Sequence, residues 1–272
     1  MNFFRPIILL LFLVSVALPW GRVGHETIAY IAEKNLNPAT MAKLKPLLAG
    51  ETLESISTWA DEIRPQKRYT APWHFIDLPV RENVTSTNWN QFIRGDNNID
   101  RQIEKDIREL RNQNTSLNEK QEALKFLVHF IGDATMPLHC ADDNDRGGNE
   151  KQVRFFSPDS RSNKGHVTNL HSLWDNLIEI KAAEDPQILG NQLNQEITSA
   201  EKSEWEKGTT IDWILDSYRI AKTIIYNGMP LGNGFVKLPP DYYSRMRPIV
   251  NKQLEKGGIR LAWILEEIFN GR

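Results

Sequence analysis

Residues 126–139, FLVHFIGDATMPLH, and their echo NLHSLWD at 169–175 constrain this chain more than any other stretch. Each sets a His and an Asp four residues apart, so on a helix His129 shares a face with Asp133, and His171 with Asp175. That is metal-ligand spacing. A single such pair arises often by chance and usually marks a solvated helix face. Two pairs in one chain, with His139 directly beyond the first, call for a common explanation.

The rest of the chain reads as mostly helical. With 272 residues, 40% of them apolar, and no sharp shift in composition, it holds one domain with one sizeable core. Helical spacing is expected over residues 24–36 and 38–48, the latter opened by Asn37-Pro38, and over 52–63. Residues 69–78 read as irregular. Longer helices are expected at 89–112 and 117–131, with Pro137 where the second should end. A loop with a short hairpin is expected within 141–162, where residues 151–156 alternate. Helical pattern resumes at 170–183, 186–201, 210–226 and 239–269, with Gly257-Gly258 breaking the last. The sum is an all-α domain carrying one short hairpin.

Charge excludes one class of function. Against 33 Lys and Arg stand 35 Asp and Glu, a formal charge of -2, which argues against holding duplex nucleic acid on a basic surface. An anionic substrate would have to be attracted locally, as a cluster of bound divalent cations could do. At the start, Arg5 followed by the apolar residues 7–16 reads as an export signal over residues 1–19, too short to span a bilayer. The single cysteine, Cys140, allows no intrachain disulfide, which suits a bacterial periplasmic or secreted protein.

Six histidines are present: His25, His74, His129, His139, His166 and His171. Any one alone is more often a surface or hydrogen-bonded core residue than a ligand. With thiolates scarce, imidazole and carboxylate suit zinc, and a clustered zinc site with open positions is the natural hypothesis. The motifs WGRVGH at 20–25, WADEIR at 59–64, HFID at 74–77, the 126–139 stretch, GGN at 147–149 and NLHSLWD at 169–175 together resemble the trinuclear-zinc, single-strand-specific nucleases. That family includes fungal nucleases and plant bifunctional nucleases and shares the zinc phospholipase C fold. The motifs fall in the family's order and cover the chain after the export segment.

The resemblance implies three zincs per chain. One is held by Asp61, His74, His129 and Asp133. A second is held by His139, His171 and Asp175, and a third by His25, Asp133 and the N-terminal groups of Trp20, so Asp133 bridges two. It implies hydrolysis of single-stranded DNA and RNA to 5′-phosphorylated products, with 3′-nucleotidase activity as an extension. Two metals about 3.5 to 4 Å apart can share and activate a water for in-line attack on phosphorus, while a third neutralises charge on the leaving oxygen. Arg64 would clamp a phosphate oxygen, and Asp77 would orient the water or Arg64 itself. Phe75 resembles the residue that stacks an unpaired base and Asn149 one that hydrogen-bonds it, which demands a splayed-out base.

Blander readings stand beside these. Arg64 and Asp77 could be a structural ion pair, and Phe75 a core aromatic. Trp59, Trp73 and Trp174 are assigned to packing, His166 to the surface, and Asp142, Asp143 and Asp145 to a solvated loop. Two other functions compete: a zinc phospholipase C acting on lipid phosphodiesters, since fold does not fix substrate, and a non-catalytic zinc-binding protein. Phe75 and Asn149 suit a base better than a lipid headgroup, and Arg64 and Asp77 suggest turnover. The expected partners are single-stranded nucleic acid and nucleotides, with no membrane span, and the protein is expected to be a monomer.

Two departures from the family pattern matter. Paired cysteines are missing, and Ser15 and Ala17 favour export cleavage after Ala17, leaving Leu18 and Pro19 ahead of Trp20. A free amine is a good zinc ligand and an amide nitrogen is a poor one, so the implied role of Trp20 requires cleavage after Pro19 or later removal of Leu18-Pro19. N-terminal sequencing of the secreted protein should therefore begin at Trp20. A mature start at Leu18 with three tightly bound zincs would exclude the amine ligand.

Overall fold

Capping chemistry sets most of the helix boundaries in the computed structural model, which describes residues 20–93, 95–157, 165–178 and 185–271. The export segment expected at 1–19 lies outside the described residues. Helix α1 (Gly21–Asn35) is followed by α2 (Pro38–Leu48), where Asn37 accepts from the Thr40 N–H at 2.8 Å and Pro38 takes the first turn. Helix α6 (Leu117–Thr135) opens on a Ser116/Glu119 capping box. It ends at Met136, whose extended backbone is what a residue before proline prefers.

Several expected helices are divided, each by a local competitor of the helical backbone. Residues 52–63 form two short helices, α3 (Leu53–Ile56) and α4 (Trp59–Ile63), separated at Ser57-Thr58. The helix expected at 89–112 shrinks to one 3-10 turn at Trp89–Gln91 and then α5 (Ile99–Arg111). Gly95 adopts a positive φ, and Asn98 caps the Arg101 N–H, so α5 starts afresh there. Beyond α7 (Leu170–Asp175), the rest of the helix expected to residue 183 falls partly outside the described residues. Residues 186–201 split into α8 (Pro186–Glu196) and α9 (Ser199–Trp205) around the Thr198 capping box. Helix α10 (Thr210–Ile220) passes into a π turn at Ala221–Ile225.

The hairpin expected within 141–162 has only its first strand there. Strand β1 (Gln152–Phe155) pairs antiparallel with β2 (His166–Asn169), placing Arg154 opposite Val167, and β3 (Val236–Lys237) adds in parallel on the other edge. Eleven α-helices and this small sheet make the described residues all-α with a minor β element.

The last helix corrects an expectation. Helix α11 (Tyr242–Asn270) runs unbroken through Gly257 and Gly258. The two glycines are where α1 lies against it: a Cβ on Gly258 would intrude on Ile31 Cγ2, and one on Gly257 would meet Ile28 Cδ1 at 3.0 Å. They serve close helix approach rather than a break, and burial of Ile28 and Ile31 outweighs the helix cost of glycine.

Helix α6 lies in the middle of the bundle against α5, α10 and α11, and α1 closes over it. Every residue from 126 to 141 is buried, so this part of α6 has no solvent face. The pair His129 and Asp133 is therefore inside the protein.

Gly258→Ala should be destabilising despite alanine's better helix propensity. Overpacking costs about 1–3 kcal/mol, against a propensity gain of about 1 kcal/mol, and Ile31 is β-branched and cannot easily move aside. Chemical denaturation should show a lower midpoint. An unchanged midpoint would mean that α1 and α11 can separate freely.

Candidate metal centre

Buried polar side chains converge on Asp133 from five segments. The α6 helix supplies His129 and Asp133 one turn apart, and α1 brings His25 beneath them, its ring stacked on His129 at 4.1 Å. That stacking needs Gly132, because a Cβ there would stand 2.7 Å from His25 Nδ1. Helix α4 presents Asp61, the 3-10 segment Arg68–His74 ends on His74, and the turn Pro137–His139 delivers His139. All six residues are buried.

The distances are short. His74 Nδ1 lies 3.0 Å and His129 Nε2 3.1 Å from Asp133 Oδ2. On the other oxygen, His25 Nε2 approaches to 3.4 Å and His139 Nδ1 to 3.6 Å. Asp61 sits 3.8 Å from both His74 Nδ1 and His129 Nε2. A neighbouring group joins His139, stacked at 4.9 Å on His171, to Asp175, which lies 3.7 Å from His171 Nε2. Among the described residues, three sets of donor atoms are close enough to share an ion: His25, Asp61 and His129; His74, His129 and Asp133; and His139, His171 and Asp175.

Backbone carbonyls aim three of these rings. His129 Nδ1 bonds Ser57 O, His139 Nδ1 bonds His74 O, and His171 Nδ1 bonds Gly147 O, each at 2.7 Å. With Nδ1 held against a carbonyl, Nε2 is the nitrogen of each ring left to ligate a metal. The Ser57 carbonyl belongs to the gap between α3 and α4, so the break in that helix has a use. Sequence reading could not find these acceptors, because any residue carries a backbone carbonyl.

Electrostatics describe a site wanting cations. Burial lowers His74 and His171 to about 4 and His139 to about 3, and it lowers His25 as well, leaving these imidazoles neutral near pH 7. Burial works against charge on His129 too, but Asp133 and Asp61 outweigh it and push that ring up to about 9. For Asp133, burial is overcome by His129 and His139, which hold the carboxyl well below its ordinary range. Asp175 is raised well above its ordinary value, by burial and by the Asp61 and Asp133 charges. The Trp20 backbone N–H pulls the other way without closing a hydrogen bond of normal geometry.

The donor atoms fit zinc. His25 Nε2, Asp61 Oδ1, Asp133 Oδ1, His139 Nε2 and both Asp175 oxygens are buried without a hydrogen-bond partner. Such atoms are costly to leave unmet, and a set of imidazole nitrogens and carboxylate oxygens without thiolate suits zinc. Trp20 is fully buried beside them, its indole N–H donating to Gly132 O at 3.0 Å.

The remaining candidates lie around this centre. Arg64, largely buried, reaches Asp61 at 3.4 Å, and its charge also acts on His74, His171 and Asp175. Phe75 is exposed and lines a cleft of about 480 Å³ with Asp77, Phe92, Asn97, Asp142 and Asn144. Asp77 has Asp142 and Arg146 as charged neighbours, and its protein surroundings together with Asp142 lift its carboxyl to about 6. Asn149 folds back, its Nδ2 donating to Arg146 O at 2.9 Å, while Asn144 of the same turn lines the cleft. His166 is exposed on β2, and Trp59 and Trp73 pack edge-on against Phe126. The indole of Trp174 bonds Tyr242.

One expectation is overturned here. Asp143 and Asp145 are buried rather than solvated, because Lys151, fully buried itself, lies 3.8 and 3.6 Å from them. Arg81 completes the pairing by gripping both oxygens of Asp143, at 2.6 and 2.8 Å. The acidic run gave no sign of this, since sequence alone does not show that Lys151 and the distant Arg81 turn inward with it.

Residues 20–270 match the family model described as S1/P1 nuclease. Endonuclease 4 of Arabidopsis thaliana is 31% identical across all of this chain and 96% of its own length. Nuclease P1 of Penicillium citrinum is 32% identical over 91% of this chain and 97% of its own length, and nuclease S1 of Aspergillus oryzae is 27% identical over 93% of each.

Because Asp133 stands between two sets of donors, Asp133→Ala should release more than one metal ion per folded chain. Elemental analysis of the purified variant, checked for helix content by circular dichroism, measures this. Loss of a single ion would show that the carboxylate is not shared.

Proposed function

This chain belongs to the S1/P1 nuclease family, and from that membership we propose that it is a zinc-dependent endonuclease. It hydrolyses phosphodiester bonds of single-stranded DNA and RNA to 5′-phosphorylated products and acts as a 3′-nucleotidase on small substrates. The observation that carries this reading is the cluster of unpartnered buried His and Asp atoms, one residue along the chain from an exposed aromatic in an open cleft. Endonuclease and nuclease are the words in the relatives' names, and a lipid substrate or a non-catalytic role is not favoured beside them.

Three zincs per chain are assigned to the donors already described. Asp61, His74, His129 and Asp133 hold one, and His139, His171 and Asp175 a second. His25, Asp133 and the amine and carbonyl of a mature N-terminal Trp20 hold the third. Zinc held there would lower the pKa of a coordinated water and withdraw charge from phosphoryl oxygens. The rest of the chemistry falls to the chain. Arg64 offers a planar guanidinium at the edge of the cluster, suited to gripping a phosphate oxygen. Phe75 stacks an unpaired base, and paired duplex cannot supply one without unstacking.

Asp77 follows Phe75 by two residues and shares its cleft, so its carboxylate meets the same bound nucleotide, as a hydrogen-bond acceptor or as the group that orients a water. Asn149, on the turn that carries the Gly147 carbonyl, turns its amide toward the base once released from Arg146 O. An exported enzyme fits the segment at 1–19, cleaved to leave 20–272 as a monomeric nuclease domain, secreted or periplasmic. Among the described residues no helix is long and apolar enough to cross a membrane.

Product analysis on single-stranded DNA, duplex DNA, RNA and phosphatidylcholine tests the reading in one comparison with zinc-loaded protein. Single strands should be cut to 5′-phosphorylated ends, chelator should abolish cutting and zinc should restore it. Lipid hydrolysis with oligonucleotide untouched would instead favour a phospholipase. Phe75→Ala should weaken single-strand binding by about 1–3 kcal/mol and leave zinc content at the wild-type level.

A further inference from the structure

The turn at residues 141–151 carries buried charges that the proposed reaction does not use, and they surround the group that aims His171. His171 Nδ1 bonds the Gly147 carbonyl at 2.7 Å. That carbonyl and the Gly148 N–H belong to one rigid peptide unit and point in opposite directions. The Gly148 N–H donates to Asp145 Oδ1 at 2.8 Å, so Asp145 grips one end of the unit and His171 the other. One bond back along the chain, the Gly147 N–H donates to Asp142 Oδ1 at 3.0 Å, and the Asp145 N–H shares that oxygen at 3.1 Å.

Asp145 is itself held. Tyr226 Oη donates to its Oδ1 at 2.9 Å, and Lys151 Nζ stands 3.6 Å from its Oδ2. Lys151 is anchored by donating to Pro230 O at 2.8 Å and to Gly232 O. A fully buried ammonium beside two buried carboxylates and two carbonyls costs desolvation on every partner, which this network offsets only while its geometry is kept. Helix packing around the cluster would not by itself require charge here.

We infer that Asp142, Asp145 and Lys151 are positioning residues for His171: Asp145 fixes the Gly147–Gly148 peptide plane, Asp142 fixes the Arg146–Gly147 plane before it, and the lysine locks the turn to residues 230–232. This rests on the metal-ligand role proposed for His171. The same turn pairs with residues 78–80, through Asp142 N–H to Leu78 O at 2.9 Å and Val80 N–H to Asp142 O at 3.0 Å. One device thus sets His171 relative to the cleft lined by Phe75 and Asp77.

Titration of metal-free full-length protein with zinc, and separately with cobalt followed by visible absorption, tests this without reference to turnover. Asp145→Ala should bind one ion about 10–100-fold more weakly with a changed cobalt spectrum, leaving the other ions at wild-type affinity. Asp145→Asn keeps an oxygen to accept from Gly148 and should regain most of the affinity. A folded Asp145→Ala protein that binds every ion as wild type does, whatever its melting temperature, overturns the inference. Uniform weakening of all ions overturns it equally. If Asp145→Ala does not fold, Asp142→Ala, at a half-buried position, carries the same expectation and the same refutation. Wild-type protein that binds no zinc would instead defeat the metal assignment itself.

Discussion

Asp133 is a carboxylate with no exposure to water at the centre of a helical bundle, and the surrounding architecture answers to that charge. An isolated buried carboxylate is among the costliest groups a protein can hold, and one in a low-dielectric interior must be matched by close positive or donor groups. Four imidazoles reach it, from α1, from the segment ending at His74, from its own helix and from the turn after it. Elements far apart in sequence are thereby committed to one point. Zinc at that point would supply the positive charge that a buried carboxylate needs.

The approach to Asp133 depends on small residues and broken helices. Gly132 lets His25 slide over α6, and Gly257 and Gly258 let α1 come close enough to α11 to bring His25 there. The gap between α3 and α4 spares the Ser57 carbonyl for His129. The break in the helix frees a carbonyl, Gly132 makes room for a ring, and Gly257 and Gly258 make room for isoleucines. Local regularity is given up where the site requires it.

Reading the chain in one dimension succeeded where capping and apolar period agree. Helix α2, with Asn37 and Pro38 at its start, is legible to the residue, and the start of α6 at Leu117 is legible too, although that helix runs on to Thr135, past its expected end at 131. It failed where polar side chains compete with the helical backbone, as at Gly95 to Asn98, which divides the helix expected at 89–112. Gly257 and Gly258 misled in the opposite direction: glycine in a pattern reads as a break, and only the neighbouring Ile28 and Ile31 reveal that it is a contact. The candidate ligands His129, Asp133, His171 and Asp175 stood out because imidazole and carboxylate at helical spacing leave a trace in sequence. Lys151 left none, since lying close to Asp143 and Asp145 in the chain does not say that all three will be buried together.

What the sequence determined alone is chemical identity and local pairing: which donor atoms exist, that His129 with Asp133 and His171 with Asp175 share helix faces, and which family the motifs follow. Spacing of four residues carries that much because helix geometry is a short-range property. Only the tertiary structure decided that α6 is buried on every side, that His25 stacks on His129 across the bundle, and that Phe75 and Asp77 open into one cleft. It also turned an acidic run into an internal strut under His171. Those outcomes depend on which distant surfaces meet, and desolvation, which gives the buried charges their force, exists only once they have met.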